Sequence, residues 1–327
     1  MSNTQIVKIK IPDIESFKIV VGSDASDPIT QSIKGGNYTL PTQVEIMLAA
    51  IEPKVTVIDI GAHIGTFSLP AAALGYNVLA IEASISNVQL LQASARLNGF
   101  ANLHIIHAAI TNHVGTVMFF ENGPYGLINT PVFAPTASSE VPATTLDALL
   151  EQLGMSRIGF IKMDIEGSEF DALRGMPHLL SMADAPPLLY ESNGHTLALF
   201  GQEPESLVAE LGRFGYTCYL AEPGRLRPLD PTAPQYSCVV DNLACKQLTG
   251  QWRNWVTGAM SNREQIERAL VECNASWATQ RKYIARALKK ASPTIRGDLS
   301  IRQALRKLRT DSDNEVAEEA KWSMPLA

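Results

Sequence analysis

The chain has 327 residues, of which 46% are hydrophobic and 18% charged, with a formal net charge of −6. That composition excludes a disordered chain, and no uncharged apolar run approaches the roughly 20 residues that span a bilayer. Residues 1–249 hold 13 Lys and Arg against 24 Asp and Glu, and residues 250–327 hold 14 against 9, so a net-acidic body precedes a basic end.

Three sections are expected: an N-terminal extension over 1–45, a body over 46–249, and a helical extension over 250–327. The first holds a short apolar run, Phe17 to Val21, and a loop containing Asp24, Asp27, Gly35, Gly36 and Tyr38. It shows no basic stretch followed by an apolar core, so no signal peptide is expected. Cys218, Cys238, Cys245 and Cys273 show no C-x-x-C spacing, which argues against a zinc ribbon or a disulfide framework and fits a reducing cytoplasm.

The body opens on an apolar run, Val55 to Ile60, that ends in a glycine turn running through Gly61, Ala62, His63, Ile64 and Gly65. Glu82 closes a second apolar run 23 residues after Asp59. This is the pattern of a first βαβ unit at a nucleotide-type cofactor site, where glycines let backbone approach the ligand and an acidic residue takes ribose hydroxyls. Asp59 and Ile64 stand where a dinucleotide site has its outer glycines. The remaining D-x-G-x-x-x-G suits a cofactor without a pyrophosphate, and S-adenosylmethionine is the candidate. Asp59 is expected to attract its ammonium group, directly or through water.

Further along, apolar runs alternate with helical patterns, the mark of a doubly wound α/β sheet. Strands are expected at 55–60, 77–82, 103–109, 158–164, 187–191, 215–220 and 235–240, and an additional one at 114–121. Helices are expected near 64–74, 86–98, 144–153, 168–182 and 203–214. The segment 122–143, rich in Gly, Pro, Ser and Thr, reads as a long loop that either covers a substrate pocket, with Tyr125 and Asn129 as contacts, or merely connects strands.

In the strand over 158–164, Lys162 and Asp164 lie two apart and share a face. Charges in a buried strand are costly unless paired or functional. Glu166, Gly167, Ser168 and Glu169 follow at once at the carboxyl edge of the strand, where open α/β sheets bind ligands. The alternative is an ion pair of Lys162 with Asp164 or Glu166 that only fixes the strand end. Glu191 ends the next strand, and His195 follows as a candidate general base. Nothing in the spacing demands a metal, although Asp164, Glu166 and Glu191 could supply oxygen ligands to Mg²⁺. Beyond residue 250, helices are expected near 261–273, 275–291 and 299–310.

Four segments carry a resemblance to a family: residues 57–65, Ala80-Ile81-Glu82-Ala83, Thr145-Leu146-Asp147, and the block Lys162-Met163-Asp164-Ile165-Glu166-Gly167-Ser168-Glu169. In these the chain, over about residues 40–220, resembles the FkbM-type S-adenosylmethionine-dependent methyltransferases. The resemblance implies a class I methyltransferase fold, a Rossmann-like seven-stranded sheet with its last strand antiparallel, and methyl transfer to a hydroxyl of a sugar or secondary metabolite. It assigns Asp59, Gly61, Gly65 and Glu82 to the cofactor and Lys162, Asp164, Glu166 and Glu169 to the adjoining acceptor side; Ala62, His63, Ala83 and Ala109 are further expected cofactor contacts. Lys162, Asp164 and His195 become the catalytic candidates, with Asp164 and His195 as bases. Tyr125, Glu166, Glu169 and Glu191 become substrate contacts. His63 stands where the family usually has asparagine, and no acidic residue occurs at Ala108 or Ala109, where many methyltransferases contact adenine.

The expected partner is a small molecule or glycan, with no nucleic acid, no membrane span and a homodimer through the C-terminal helices. The rivals are an N-methyltransferase of the same fold, a nicotinamide oxidoreductase, and a non-catalytic cofactor-binding module with a partner-binding tail.

Overall fold

The computed structural model describes residues 4–12, 14–23, 27–122, 125–129, 137–231, 235, 239–261, 264–265, 268, 281, 284–285, 288, 299–313, 316–317 and 320. An antiparallel hairpin, β1 (Gln5–Ile11) and β2 (Ile14–Val21), comes first, then α1 (Pro28–Lys34) and α2 (Thr42–Leu48). The body runs β3 (Thr56–Ile60), α3 (Ser68–Ala73), β4 (Asn77–Glu82), α4 (Ile85–Asn98) and β5 (Leu103–His107). Next come β6 (Ala109–Ile110), β7 (Gly115–Asn122), β8 (Tyr125–Ile128) and β9 (Ala137–Thr144), a separate sheet in the order β6-β9-β7-β8. The chain continues through α5 (Leu146–Leu153), β10 (Ile158–Met163), α6 (Glu169–Arg174), α7 (Pro177–Ser181), β11 (Leu188–Asn193) and α8 (Gly194–Leu199). It closes with α9 (Pro204–Arg213), β12 (Thr217–Glu222), β13 (Arg225–Pro228), β14 (Val239–Cys245), α10 (Trp252–Trp255) and α11 (Leu299–Arg309).

The main sheet has the order β13-β12-β14-β11-β10-β3-β4-β5. β3, β4, β5, β10 and β11 are parallel, and β14 runs antiparallel between β11 and β12. From β3 the chain builds outward to β4 and β5, and later returns to build outward from β10. The adjacent carboxyl ends of β3 and β10 therefore splay their loops apart, and that switch point is where doubly wound sheets form a crevice.

The central strands are apolar on both faces because helices cover both. Val57, Val78 and Phe160 face one core, which also takes in Phe17 and Ile19 of β2 and Trp252 of α10. Ile58, Ile81, Ile161 and Met163 face the other, against α5, α6 and α9. The N-terminal hairpin and Trp252 thus share a core with the sheet. Trp252 is fully buried and its indole N–H donates to the carbonyl of Ile46.

Several expectations need correction. The sheet has eight strands, because β13 pairs with the edge of β12. The strand expected over 235–240 is described over Val239–Cys245, so it runs five residues further than expected. The long loop expected over 122–143 contains β8 and β9, paired across β7. The helix expected over 168–182 is broken at Gly175 and Met176: Pro177 disfavours helical backbone before it and opens α7 instead. The helix expected over 64–74 begins only at Ser68. The C-terminal helices expected near 261–273 and 275–291 lie largely outside the described residues, and α11 matches the third.

Candidate active site

The turn after β3 takes three left-handed residues, Gly61 (φ 79°), His63 (φ 51°) and Gly65 (φ 95°). A Cβ on Gly61 would sit 1.9 Å from the carbonyl oxygen of Asp164, and one on Gly65 would sit 2.3 Å from Leu91 Cδ1. Gly61 is therefore demanded by packing against the backbone past β10, and Gly65 by its left-handed backbone, since the Leu91 side chain could move aside. The amides of Gly61 and Ala62 donate to the carbonyl of Ile81, which ties the turn to β4. His63 is one of the few non-glycine types that tolerate this backbone, as asparagine is.

Glu82 ends β4 and is 7% exposed. Its Oε2 accepts from the amide of His63 at 2.7 Å and its Oε1 from the amide of Ser84 at 2.8 Å. Two amides fix the carboxylate, and each oxygen keeps acceptor capacity for a ligand. The His107 ring donates from Nε2 to the carbonyl of Ala83 at 2.9 Å, holding the segment beside Glu82.

On the neighbouring strand, Lys162 lies in register with Asp59. Its ammonium donates to the carbonyl of Gly61 at 2.9 Å, stands 3.1 Å from Asp59, and reaches within 3.7 Å of Asp164. Burial alone would lower its pKa, but Asp59 and then Asp164 raise it, so the ammonium stays charged. Asp59 is fully buried; its other oxygen accepts from the hydroxyl of Ser68 at 2.6 Å. Asp59 thus lies beneath the turn as the partner of Lys162, away from the cavity wall.

Past β10, acidic groups gather. Carboxylate oxygens of Asp164, Glu166 and Glu191 lie within 4.8 Å of one another. Burial, then Asp164 and Glu169, push Glu166 up to about 8. Burial first and Asp164 next raise Glu191 well above the carboxylate range. Glu191 also lies directly across the ladder from Asp241, which burial and Asp164 push up to about 6 while Gln43 donates to it at 2.9 Å. Glu169 is 1% exposed and closes its own turn, its Oε1 accepting from the amide of Ile165 at 3.1 Å. Burial raises it to about 7. Ser168 takes the N-cap position of α6, but its hydroxyl makes no cap bond.

One cavity collects Gly61, His63, Glu82, Ala83, Ala109, Lys162, Asp164 and Glu166 of the expected site residues. Asp59, Ala62, Gly65, Glu169, Glu191 and His195 do not line it. Ala62 is buried in the sheet core, and His195 is 5% exposed in the first turn of α8, where burial lowers its pKa. Tyr125 belongs to β8, but its side chain lies outside the described residues, and Asn129 is exposed and caps the β7–β8 hairpin through the amide of Met118.

The cavity also has walls that sequence reasoning missed. Asp27 caps α1 through the amide of Ile29 and stands 3.9 Å from His63 Nε2. Phe119, Glu121, Gly126 and Ile128 of the second sheet close the opposite side. For Asp27 a signal existed, since Asp followed by Pro28 is a helix start. For the second sheet there was only the extra strand at 114–121.

Residues 59–218 match the family described as "Methyltransferase FkbM domain". Over this segment the chain is similar to the methyltransferase FkbM domain. It contains the turn, Glu82, Lys162 and the acidic group, and the order of the main sheet, with β14 antiparallel, is that of the class I methyltransferase fold the family implies. A 67-residue stretch is 39% identical to the 23S rRNA (uracil(1939)-C(5))-methyltransferase RlmD of Marinomonas posidonica; it covers 20% of the chain and 15% of that protein. Among solved structures, the precorrin-6y C5,15-methyltransferase of Geobacter metallireducens aligns with a TM-score of 0.38 at 11% identity, over 66% of the chain and 97% of that protein. A SAM-dependent methyltransferase from Agrobacterium tumefaciens aligns with a TM-score of 0.37 at 12% identity, over 75% and 70%.

Proposed function

We propose that this FkbM-domain chain is an S-adenosylmethionine-dependent O-methyltransferase acting on a hydroxyl of a small molecule or glycan. The observation that carries the reading is Glu82, held by two amides at a strand end on the cavity wall with acceptor capacity left on both oxygens. The cofactor supplies an electrophilic methyl group on a sulfonium sulfur. The residues present fit it: Asp27, Glu82, Glu121, Asp164 and Glu166 face the cavity against His63 and Lys162, a balance that favours a ligand with positive charge.

In this reading Glu82 takes the ribose hydroxyls, and Gly61, His63, Ala83 and Ala109 line the rest of the cofactor's length. Asp164, with a side chain 36% exposed at the cavity edge, accepts the acceptor's proton as the new bond forms. Lys162 cannot swing away, being held by Asp59 and the Gly61 carbonyl, and so it orients Asp164. The remainder of the rate enhancement comes from alignment and from the exclusion of water by the second sheet.

An amine acceptor is the second reading, favoured by the same acidic wall. A nucleic acid fits poorly, because the body holding the cavity is net acidic and a polyanion would be repelled.

The test supplies tritiated-methyl cofactor with a panel of hydroxyl and amine acceptors, and reads the linkage by mass spectrometry. An O-linked methyl is expected. Only N-linked products would establish the second reading, and failure to bind the cofactor at all would end both.

A further inference from the structure

We propose that Asp164, Glu166 and Glu191 hold a divalent cation of the oxygen-seeking kind, such as Mg²⁺ or Mn²⁺, at the edge of the cavity. One oxygen from each lies within 4.8 Å of the others. Two ligands on opposite sides of such an ion are about 4.2 Å apart, given bonds of about 2.1 Å, so the three need only a small inward rotation to share one. An all-carboxylate donor set suits Mg²⁺, Ca²⁺ and Mn²⁺ rather than zinc or copper.

The acids alone would not make a site, but their surroundings point to a missing partner. Glu191 Oε2 is shielded from solvent and has no hydrogen-bond partner among the described residues. Glu169, 1% exposed, also has an Oε2 with no hydrogen-bond partner among the described residues. A buried carboxylate oxygen without a partner is costly, and the usual resolutions are a pair or a metal. Lys162 pairs with Asp59 at 3.1 Å and with Asp164 at 3.7 Å, but with neither glutamate. It lies closer to Asp59 than to Asp164, and neither Glu166 nor Glu191 has an ion-pair partner among the described residues. Across the ladder Glu191 meets another acid, Asp241. Like charges directly opposite on adjacent strands repel, and a cation between strand and turn offsets that.

Asp164 and Glu166 also line the cavity, so an ion held there could take an acceptor oxygen as a further ligand and make its proton easier to lose. That use rests on the methyl-transfer reading; the binding of the ion does not.

The full chain, stripped with EDTA, is titrated with MnCl₂ while electron paramagnetic resonance follows free Mn²⁺, and calorimetry follows S-adenosylmethionine in parallel. The expected result is one Mn²⁺ per chain with a Kd below about 1 mM, displaced by Mg²⁺. Glu191→Gln and Glu166→Gln each weaken it at least about tenfold while keeping the circular dichroism spectrum and urea midpoint of a folded chain. Absence of saturable Mn²⁺ binding, or binding that both variants leave unchanged, overturns the proposal. Cofactor binding without Mn²⁺ binding removes the metal alone; Mn²⁺ binding without cofactor binding supports the site and removes the methyl-transfer reading.

Discussion

His63 illustrates what a single position can carry. Its backbone is left-handed, its amide donates to Glu82, and its ring faces Asp27. His63→Asn should keep both the fold and the amide contact, whereas His63→Val should lose about 1–2 kcal/mol of stability from backbone strain alone, read by urea denaturation. Glu82→Ala removes hydrogen bonds to a charged acceptor and should weaken S-adenosylmethionine at least about tenfold by calorimetry. Unchanged affinity would take away the observation on which the cofactor reading rests. At this scale the sequence exposed residue types and spacing, but not which way each residue faces. Asp59 has the right type and spacing for a cofactor contact, but the spacing does not show that strand register also puts it beside Lys162. His195 looked like a base in a loop, yet it is buried in a helix whose cap, Asn193, accepts from the amides of His195 and Thr196. The glycines were legible as a turn, but a sequence cannot show that the carbonyl of Asp164 forbids a Cβ at residue 61.

Among the elements, α5 and α7 explain a third matching segment. Thr145 caps α5 through the amide of Ala148, and Asp147 reaches across to accept from the amides of His178 and Leu179 at the start of α7. Asp147 is therefore a cap for another helix and has no part in the cavity. Asp147→Ala should cost about 1–2 kcal/mol in stability while leaving cofactor affinity unchanged, a pairing that calorimetry and urea unfolding can separate. The parallel strands of the body were the most legible elements, because burial on both faces makes them continuous apolar runs. The second sheet was the least legible. Its β9 alternates exposed and buried residues weakly and contains Pro142, so composition alone reads it as loop.

For the molecule as a whole, the acidic group sets the response to pH. Glu166, Glu169, Glu191 and Asp241 all have folded pKa values above their ordinary ones. The folded chain then holds more protons than the unfolded one between about pH 4.5 and 8, so stability falls as pH rises through that window. In EDTA, the urea midpoint should be higher near pH 5.5 than near pH 8, and Glu169→Gln should flatten the difference. An unchanged slope in that variant would show that Glu169 is not one of the groups responsible. The C-terminal extension can be cut without touching the core only beyond the contacts of α10, since Trp252 packs 6.3 Å from Phe160 and the amide of Thr257 donates to Leu226. A chain ending at residue 258 should still bind cofactor, and its mass by light scattering should fall to that of a monomer if the extension makes the dimer.

The position of β14 has a bearing on synthesis. It is the last strand in chain order among the described residues, yet it lies between β11 and β12, not at a margin. Until residues 239–245 are made, β11 and the β12–β13 pair have no strand to join them. Glu191 lacks its cross-strand neighbour throughout that interval. The acidic group therefore draws on both ends of the sheet's chain order: its Glu191 gains the neighbour Asp241 only from β14, long after the strands that carry Glu82 and Lys162.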